Sequence, residues 1–96
     1  MAGVPGRQLG VAIVGFGTVG RSVARIVCET PRGDLRLVRV CNRDVARKRV
    51  DWVPGDVDWT DDLDAALRPD VDVVVELIGG LTPAGDLVRR ALAAGK

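Results

Sequence analysis

Histidine and tyrosine are absent from this sequence of 96 residues, which also has only one phenylalanine, two tryptophans and two cysteines. The absence of histidine removes the commonest general base and the commonest zinc ligand, so we expect no metal site. The two cysteines, Cys28 and Cys41, lack a secretory context and are predicted to be reduced thiols rather than a disulfide. No apolar run approaches the roughly 18 residues of a membrane span, and no signal peptide pattern is present. We therefore expect a soluble, cytoplasmic protein with no membrane partner.

Charge is nearly balanced over the whole chain but is distributed unevenly along it. The formal net charge is +1, from 14 Lys and Arg against 13 Asp and Glu, which excludes a bulk attraction to nucleic acid. Residues 1–50 hold ten basic and three acidic side chains, whereas residues 51–96 hold four and ten. We therefore expect a phosphate-bearing ligand to bind the first half.

Apolar and β-branched residues are concentrated in a few short segments. Residues 9–14, 35–41 and 71–78 predict strands that are buried on both faces, as parallel strands are. A shorter strand is expected near residues 57–59, and a polar helical turn within residues 42–49. Helices are expected after the first, the short and the last strand. This order predicts a doubly wound α/β fold with a mostly parallel sheet, incomplete at its C-terminus because no strand follows the last helix.

The spacing of apolar residues also predicts which side of each helix is buried. The positions expected to face inward are Val19, Val23, Ile26 and Val27 in the first helix, Leu63, Ala66 and Leu67 in the second, and Leu87, Val88, Ala91 and Leu92 in the third. Thr60 and Thr82 are the expected N-caps of the second and third helices, and Gly95 is expected to end the third.

Three glycines follow the first predicted strand with the spacing G-x-G-x-x-G. Gly15 would allow a tight turn, Gly17 would let a pyrophosphate approach the backbone, and Gly20 would let the helix lie close to the sheet. The N–H groups of residues 18–20 would then face an anion, helped by the helix dipole. We predict a Rossmann-like dinucleotide site here, with a ligand-free glycine turn as the alternative.

The end of the second predicted strand indicates which dinucleotide is expected. An Asp or Glu that binds the ribose 2′-hydroxyl commonly stands there, but this chain has Cys41, Asn42 and Arg43, and Asp44 comes slightly late. Residues 47–49 are basic as well. Because basic side chains attract a 2′-phosphate, we predict NADP as the preferred cofactor and NAD as the weaker one. A solvated basic turn is the open alternative.

The third predicted strand ends in two glycines, at the edge of the sheet where doubly wound folds bind their ligands. Gly79 and Gly80 are expected beneath the ribose and nicotinamide, or else form only a turn before Pro83. Glu76 is either functional or part of a structural ion pair, since an unpaired carboxylate is costly in an apolar strand. The predicted cofactor-binding residues are Gly15, Phe16, Gly17, Thr18, Val19, Gly20, Asn42, Arg43, Lys48, Gly79 and Gly80, and no catalytic residue is predicted.

Aromatic and acidic side chains of residues 51–64 have ordinary explanations. Trp52 and Trp59 are expected to cover the edge of the sheet, with stacking on adenine as the alternative. The five carboxylates between residues 56 and 64 lack the spacing of a calcium loop and are expected to be solvated or to cap a helix.

Three segments together carry a resemblance to a known family. Gly-Phe-Gly-Thr-Val-Gly at 15–20, Asp-Val-Asp-Val-Val-Val-Glu-Leu-Ile-Gly-Gly at 70–80, and the helix at 83–96 ending in Ala-Gly-Lys resemble the N-terminal cofactor domain of homoserine dehydrogenases. The resemblance spans residues 9–96. It implies NAD(P)-dependent interconversion of L-homoserine and L-aspartate 4-semialdehyde, in threonine and methionine biosynthesis. It also implies cofactor contacts from Phe16, Thr18, Val19 and Arg43, with basic residues near Lys48 reaching a phosphate.

The family pattern continues where this sequence stops. In the family, the chain runs on into another strand and a substrate and dimerisation domain that carries a catalytic Lys and Asp. We therefore predict that residues 9–96 are a partial NAD(P)-binding domain, that residues 1–8 form a disordered head, and that the substrate domain is absent. Hydride transfer by the isolated chain is not expected, and the full-length parent is expected to be a homo-oligomer. The alternatives are a non-catalytic nucleotide-binding module or remnant, and the cofactor half of a related amino-acid dehydrogenase.

Overall fold

A computed structural model describes residues 8–29, 33–78 and 83–96. Within them, the strands are β1 (Leu9–Val14), β2 (Leu35–Cys41), β3 (Asp58–Thr60) and β4 (Val73–Glu76). The helices are α1 (Thr18–Glu29), α2 (Val45–Lys48), a 3₁₀ helix (Leu63–Leu67) and α3 (Ala84–Ala93). The strands form one sheet in the order β3-β2-β1-β4, and every neighbouring pair is parallel. The predicted α/β fold is confirmed, although β4 is shorter than residues 71–78 and β3 begins one residue later than expected.

The sheet separates two apolar clusters, with β1 contributing to both. Val11 and Ile13 pack on the α1 side, whereas Ala12 and Val14 pack on the side of the 3₁₀ helix and α3. The first cluster also contains Phe16, Ala24, Val27, Leu37, Val40, Val53 and Val57, and the second Val38, Cys41, Ala65, Ala66, Val71 and Leu87. Helices therefore cover both faces, as a doubly wound sheet requires.

The predicted inward face of α1 is wrong at two positions. Val19 is 60% exposed and Ile26 is 66% exposed, whereas Gly20, Ala24 and Val27 are buried. The helix turns its smallest residues toward the sheet, because a glycine and an alanine at the contact let the two backbones approach closely. Apolar spacing alone does not reveal this preference for small side chains.

The predicted face of α3 is confirmed at two positions and wrong at two. Leu87 and Ala91 are buried as predicted, together with Ala84, whereas Val88 and Leu92 are exposed.

The ends of α3 agree with expectation only in part. Thr82, the predicted N-cap, lies outside the described residues, and the N-cap is Pro83, whose carbonyl accepts a hydrogen bond from the Leu87 N–H at 3.0 Å. Gly95 has a φ of +80°, and the N–H groups of Gly95 and Lys96 donate to the carbonyls of Leu92 and Ala91, each at 3.0 Å. These two bonds form a Schellman motif, which confirms that Gly95 ends the helix.

The 3₁₀ helix is capped by a different residue from the one predicted. The Asp62 carboxylate accepts a hydrogen bond from the Asp64 N–H at 3.0 Å, so Asp62 and not Thr60 is the N-cap. The Thr60 hydroxyl instead accepts a hydrogen bond from the Asp62 N–H at 3.1 Å, just before the helix. The buried residues of this helix are Ala65 and Ala66, and the two leucines are only half-buried.

A bulge in β2 changes the faces to which its side chains point. Val11 of β1 is paired with Leu37, but Ala12 is paired with Arg39, so Val38 is an extra residue. After the bulge, Val40 returns to the α1 side while Arg39 lies on the opposite side. A charged residue is thereby directed into the interior of the domain.

Arg39 is paired in this interior position. It is only 6% exposed, and its guanidinium donates to Asp58 at 2.9 Å, to both carboxylate oxygens of Asp70 at 2.9 and 3.0 Å, and to the Ala65 carbonyl at 3.1 Å. The bonds connect β2 to β3, to the 3₁₀ helix and to the turn before β4. One side chain therefore fastens four parts of the fold.

Both cysteines are free, as predicted, and we expect both to react poorly as thiols. Burial raises the pKa of Cys41 to about 11, and it also raises the pKa of the half-buried Cys28, with a smaller contribution from the charge of Glu29. At about pH 8, an aromatic disulfide reagent should label Cys28 slowly and Cys41 only after denaturation. Rapid labelling of a folded Cys28→Ser variant would contradict this expectation.

Candidate functional site

The glycine turn joins β1 to α1, and two of its glycines are required by the fold. Gly15 has a φ of +98°, and its N–H donates to the Cys41 carbonyl at 2.8 Å. A side chain at Gly15 would also press on the backbone of Leu77, 3.0 Å away. A Cβ at Gly20 would collide with the carbonyl oxygen of Gly15. These positions therefore bring the strand, the turn and the helix close together.

Gly17 differs from its neighbours because it faces open space. A Cβ at Gly17 would meet no described atom within 4 Å beyond its chain neighbours. The first backbone hydrogen bond of α1 runs from the Arg21 N–H to the Gly17 carbonyl at 2.9 Å, so the N–H groups of residues 18–20 have no acceptor within the helix. The first turn of α1 contains no acidic side chain. An anion above Gly17 would supply the missing acceptors.

Asn42 holds the turn from the tip of β2. Its side-chain Oδ1 accepts a hydrogen bond from the Phe16 N–H at 2.8 Å, and its own N–H donates to the Thr60 carbonyl at 3.0 Å. The Phe16 ring is fully buried and meets Trp59 edge-on, with ring centroids 5.0 Å apart. A contact between Phe16 and a cofactor would therefore have to come from its backbone. Phe16 and Asn42 together fix the position of the glycine turn.

A cleft of about 580 Å³ opens beside the turn and α1. Its other wall is the segment from Arg47 to Trp52, which begins within the four-residue α2 and continues beyond it. Five cationic side chains line this cleft, namely Arg21, Arg25, Arg47, Lys48 and Arg49, and no carboxylate among the described residues lines it. The cleft is thus a strongly positive surface next to the N–H groups of residues 18–20, which have no acceptor within α1.

The five cations are not equally available to a ligand. Arg25 pairs with Glu29 at 3.2 Å and lies over the Trp52 ring, 4.4 Å from its centre. Within the described parts of the chain, no ion pair is formed by the other four. These four cations therefore remain available to phosphate oxygens.

The predicted site residues are brought together only in part. Gly17, Thr18 and Lys48 line the cleft with Phe16, and Gly15 and Gly20 shape the turn beneath it. Val19 is exposed at the start of α1, and Arg43 is exposed next to Asn42 but does not line the cleft. Gly79 and Gly80 lie outside the described residues, so their predicted role stays a prediction.

Sequence reasoning missed the contribution of α1 to the cleft. Arg21 and Arg25 were not among the predicted site residues, yet both line it with Thr18. Arg21 follows Thr18 by three residues, and Arg25 follows Arg21 by four, which places all three on one side of a helix; this signal could have identified them. Trp52 packs against the first apolar cluster and also lines the cleft, so stacking on adenine stays an open alternative to a structural role.

Known proteins are similar to this chain in sequence and in fold. Residues 15–96 match the model of the family described as "Homoserine dehydrogenase, NAD binding domain". The chain belongs to this family. A homoserine dehydrogenase of Corynebacterium glutamicum is 37% identical over 96% of the chain, and that of Bacillus subtilis is 33% identical over 78%. The matches cover 22% and 19% of those proteins, so this chain spans about a fifth of their length.

Solved structures agree with the assignment. The homoserine dehydrogenase of Staphylococcus aureus superimposes with a TM-score of 0.80 and 32% identity, over 94% of the domain and 25% of that chain. A scyllo-inositol dehydrogenase of Lactobacillus casei, solved with NAD(H), has a TM-score of 0.72 at 22% identity, over 94% of the domain and 26% of that chain, and shows the shared fold alone. None of the helices within residues 8–29, 33–78 and 83–96 is long and apolar enough to cross a membrane.

Proposed function

We propose that this domain binds NADP in preference to NAD, as the cofactor-binding part of a longer, homo-oligomeric, cytoplasmic enzyme. That enzyme would interconvert L-homoserine and L-aspartate 4-semialdehyde in threonine and methionine biosynthesis. The observation that carries the cofactor proposal is the cationic cleft that adjoins the N–H groups of residues 18–20, which have no acceptor within α1. The substrate is proposed from family membership, because the site formed by the described residues is the cofactor side and does not indicate a substrate.

The chain has a place for each of the three parts of a dinucleotide, namely the pyrophosphate, the adenosine half and the nicotinamide half. The pyrophosphate would lie on the N–H groups at the start of α1, above Gly17, where no described atom competes for the space. The adenosine half would extend toward the tip of β2 and the cleft, and the nicotinamide half toward β4, on the other side of β1. When bound, the nicotinamide ring accepts or delivers a hydride. The residues of this chain bind the cofactor and orient it.

The preference for NADP follows from the charge of the cleft. A 2′-phosphate adds negative charge and acceptor oxygens, and Lys48 and Arg49 are cations without an ion pair in the described residues. A charge-assisted hydrogen bond contributes about 1.5–3 kcal/mol, which corresponds to roughly 10- to 150-fold in affinity. NAD lacks the 2′-phosphate, so it would gain only the weaker, non-directional attraction between its pyrophosphate and these cations.

Replacing Lys48 by alanine should therefore weaken NADPH binding by roughly 10- to 150-fold and NADH binding by no more than about threefold. Titration calorimetry of both nucleotides against the wild-type chain and the variant gives the two ratios. Arg43→Ala tests the predicted role of Arg43 in the same way, and an equal loss for both nucleotides would remove Arg43 from phosphate recognition.

Arg89→Ala is the matched control, since Arg89 is an exposed cation on α3 outside the cleft. It should leave both affinities unchanged. A wild-type chain that binds NADH as tightly as NADPH would contradict the preference. A folded chain that binds neither nucleotide would overturn the whole proposal.

A further inference from the structure

We propose that Asn42 selects the phosphorylated dinucleotide through the direction in which its side-chain amide is held. The inference rests on the proposed NADP-binding function. It assigns to Asn42 the discrimination between NADP and NAD. It depends on the hydrogen bond between Asn42 and Phe16.

The direction of the amide is fixed by its partner. The backbone N–H of Phe16 is a donor, so the Asn42 atom 2.8 Å away is the oxygen Oδ1, and the nitrogen Nδ2 must point the other way. The Phe16 side chain is fully buried and its position is fixed by the core, so the amide group cannot turn over without leaving this N–H unpaired.

The nitrogen is available at the surface. No hydrogen bond from Nδ2 to a described residue accompanies the bond made by Oδ1. The described residues also contain no buried side-chain nitrogen or oxygen that lacks a partner. The half-buried Asn42 therefore presents Nδ2 and its two N–H groups to solvent, next to the exposed Arg43.

Such a group distinguishes the two cofactors by chemistry. The carboxylate that commonly stands at this strand tip accepts hydrogen bonds from ribose hydroxyls, which suits NAD. Nδ2 can only donate, and a phosphate offers only acceptors at neutral pH. The chain thus replaces an acceptor by a donor at the place where a 2′-phosphate would lie, and the Asn42 oxygen is directed toward the glycine turn instead.

Asn42→Asp separates the two roles of the residue. One carboxylate oxygen can still accept from the Phe16 N–H and hold the turn, whereas the other becomes an acceptor in place of the two donors. We expect NADPH binding to weaken by at least about tenfold while NADH binding is unchanged or tighter. Asn42→Ala removes the support of the turn as well as the donors, so it should weaken both nucleotides, and NADPH more than NADH.

Two further variants separate the donor from the charge. Asn42→Ser removes the amide donors without adding a charge, and it should also lower the ratio of NADPH to NADH affinity. Ser22→Asp adds the same charge within the cleft but away from the strand tip, and it should change the ratio less than Asn42→Asp does. Titration calorimetry at about 0.15 M ionic strength, where the Debye length is about 8 Å, limits the effect of distant charge. Circular dichroism checks that each variant is folded.

The outcomes are distinguishable. A wild-type chain that prefers NADPH, with both Asn42→Asp and Asn42→Ser keeping that preference, would overturn the role of Asn42 and leave the proposed function standing. An equal shift in Ser22→Asp and Asn42→Asp would also overturn it, because bulk charge would then explain the effect. Should Asn42→Asp fail to fold, the ratio measured with Asn42→Ser decides.

Discussion

Replacing Gly17 by alanine is expected to weaken NADPH binding by at least about 100-fold while changing the free energy of unfolding by no more than about 1 kcal/mol. The stability of the fold should change little, because a Cβ at this position meets no described atom within 4 Å beyond its chain neighbours. The methyl group would instead occupy the space through which a pyrophosphate reaches the N–H groups of residues 18–20. Each charge-assisted hydrogen bond lost contributes about 1.5–3 kcal/mol, so the loss of two accounts for the effect.

Alanine at Gly20 or Gly10 is the control for Gly17→Ala, because we expect these two changes to reduce stability. A Cβ at Gly20 collides with the Gly15 carbonyl, and a Cβ at Gly10 collides with the Asp70 carbonyl, far from the cleft. Both alanine variants should lose more than about 3 kcal/mol of stability, since backbone atoms cannot move aside as a flexible side chain can. Urea denaturation and calorimetry on the three variants test the separation. A Gly17→Ala variant that binds NADPH like the wild type would show that the pyrophosphate does not lie on these amides.

The strands and the glycine turn could be predicted because their signals are local. The apolar run at residues 9–14 and the glycines of residues 15–20 lie next to each other in the sequence, and each has a direct structural consequence. The rotation of the helices was less predictable. Val19 and Ile26 fit an inward stripe by spacing, but the close approach of α1 to the sheet favours Gly20 and Ala24 at the contact.

The site depends on contacts between distant parts of the chain, and these could not be predicted. The bond that fixes the Asn42 amide joins residues 26 positions apart, and it exists only because β2 lies beside β1 in the sheet. The cleft likewise requires α1 to lie opposite the end of α2 and the segment after it, which brings Arg21 and Lys48 to one surface. Local patterns identified the basic segment but gave no information about its neighbours.

The ion pairs of Arg39 also join distant parts of the chain and could not be predicted from local patterns. We expect removal of its two carboxylate partners to cost more stability than removal of the arginine itself. Asp58→Ala combined with Asp70→Ala should destabilise the fold by about 3 kcal/mol or more, because a guanidinium that is 6% exposed loses both counter-charges. Arg39→Met should cost only about 1 kcal/mol. The side chains of Asp58 and Asp70 are 47% and 51% exposed, so both carboxylates regain water when the arginine is removed.

Acid should reduce the difference between the wild type and Arg39→Met. The hydrogen bond from Arg39 lowers the pKa of Asp70, so the stability from this pair is fully present above the unfolded pKa of about 3.9 and is lost as pH falls through the lower folded value. Urea unfolding at about pH 7 and at about pH 3 measures this loss in the wild type, and Arg39→Met should lack this component of the acid sensitivity. An Arg39→Met variant less stable than the double alanine variant at neutral pH would show that the arginine, rather than the pairing of its buried charge, holds the four elements together.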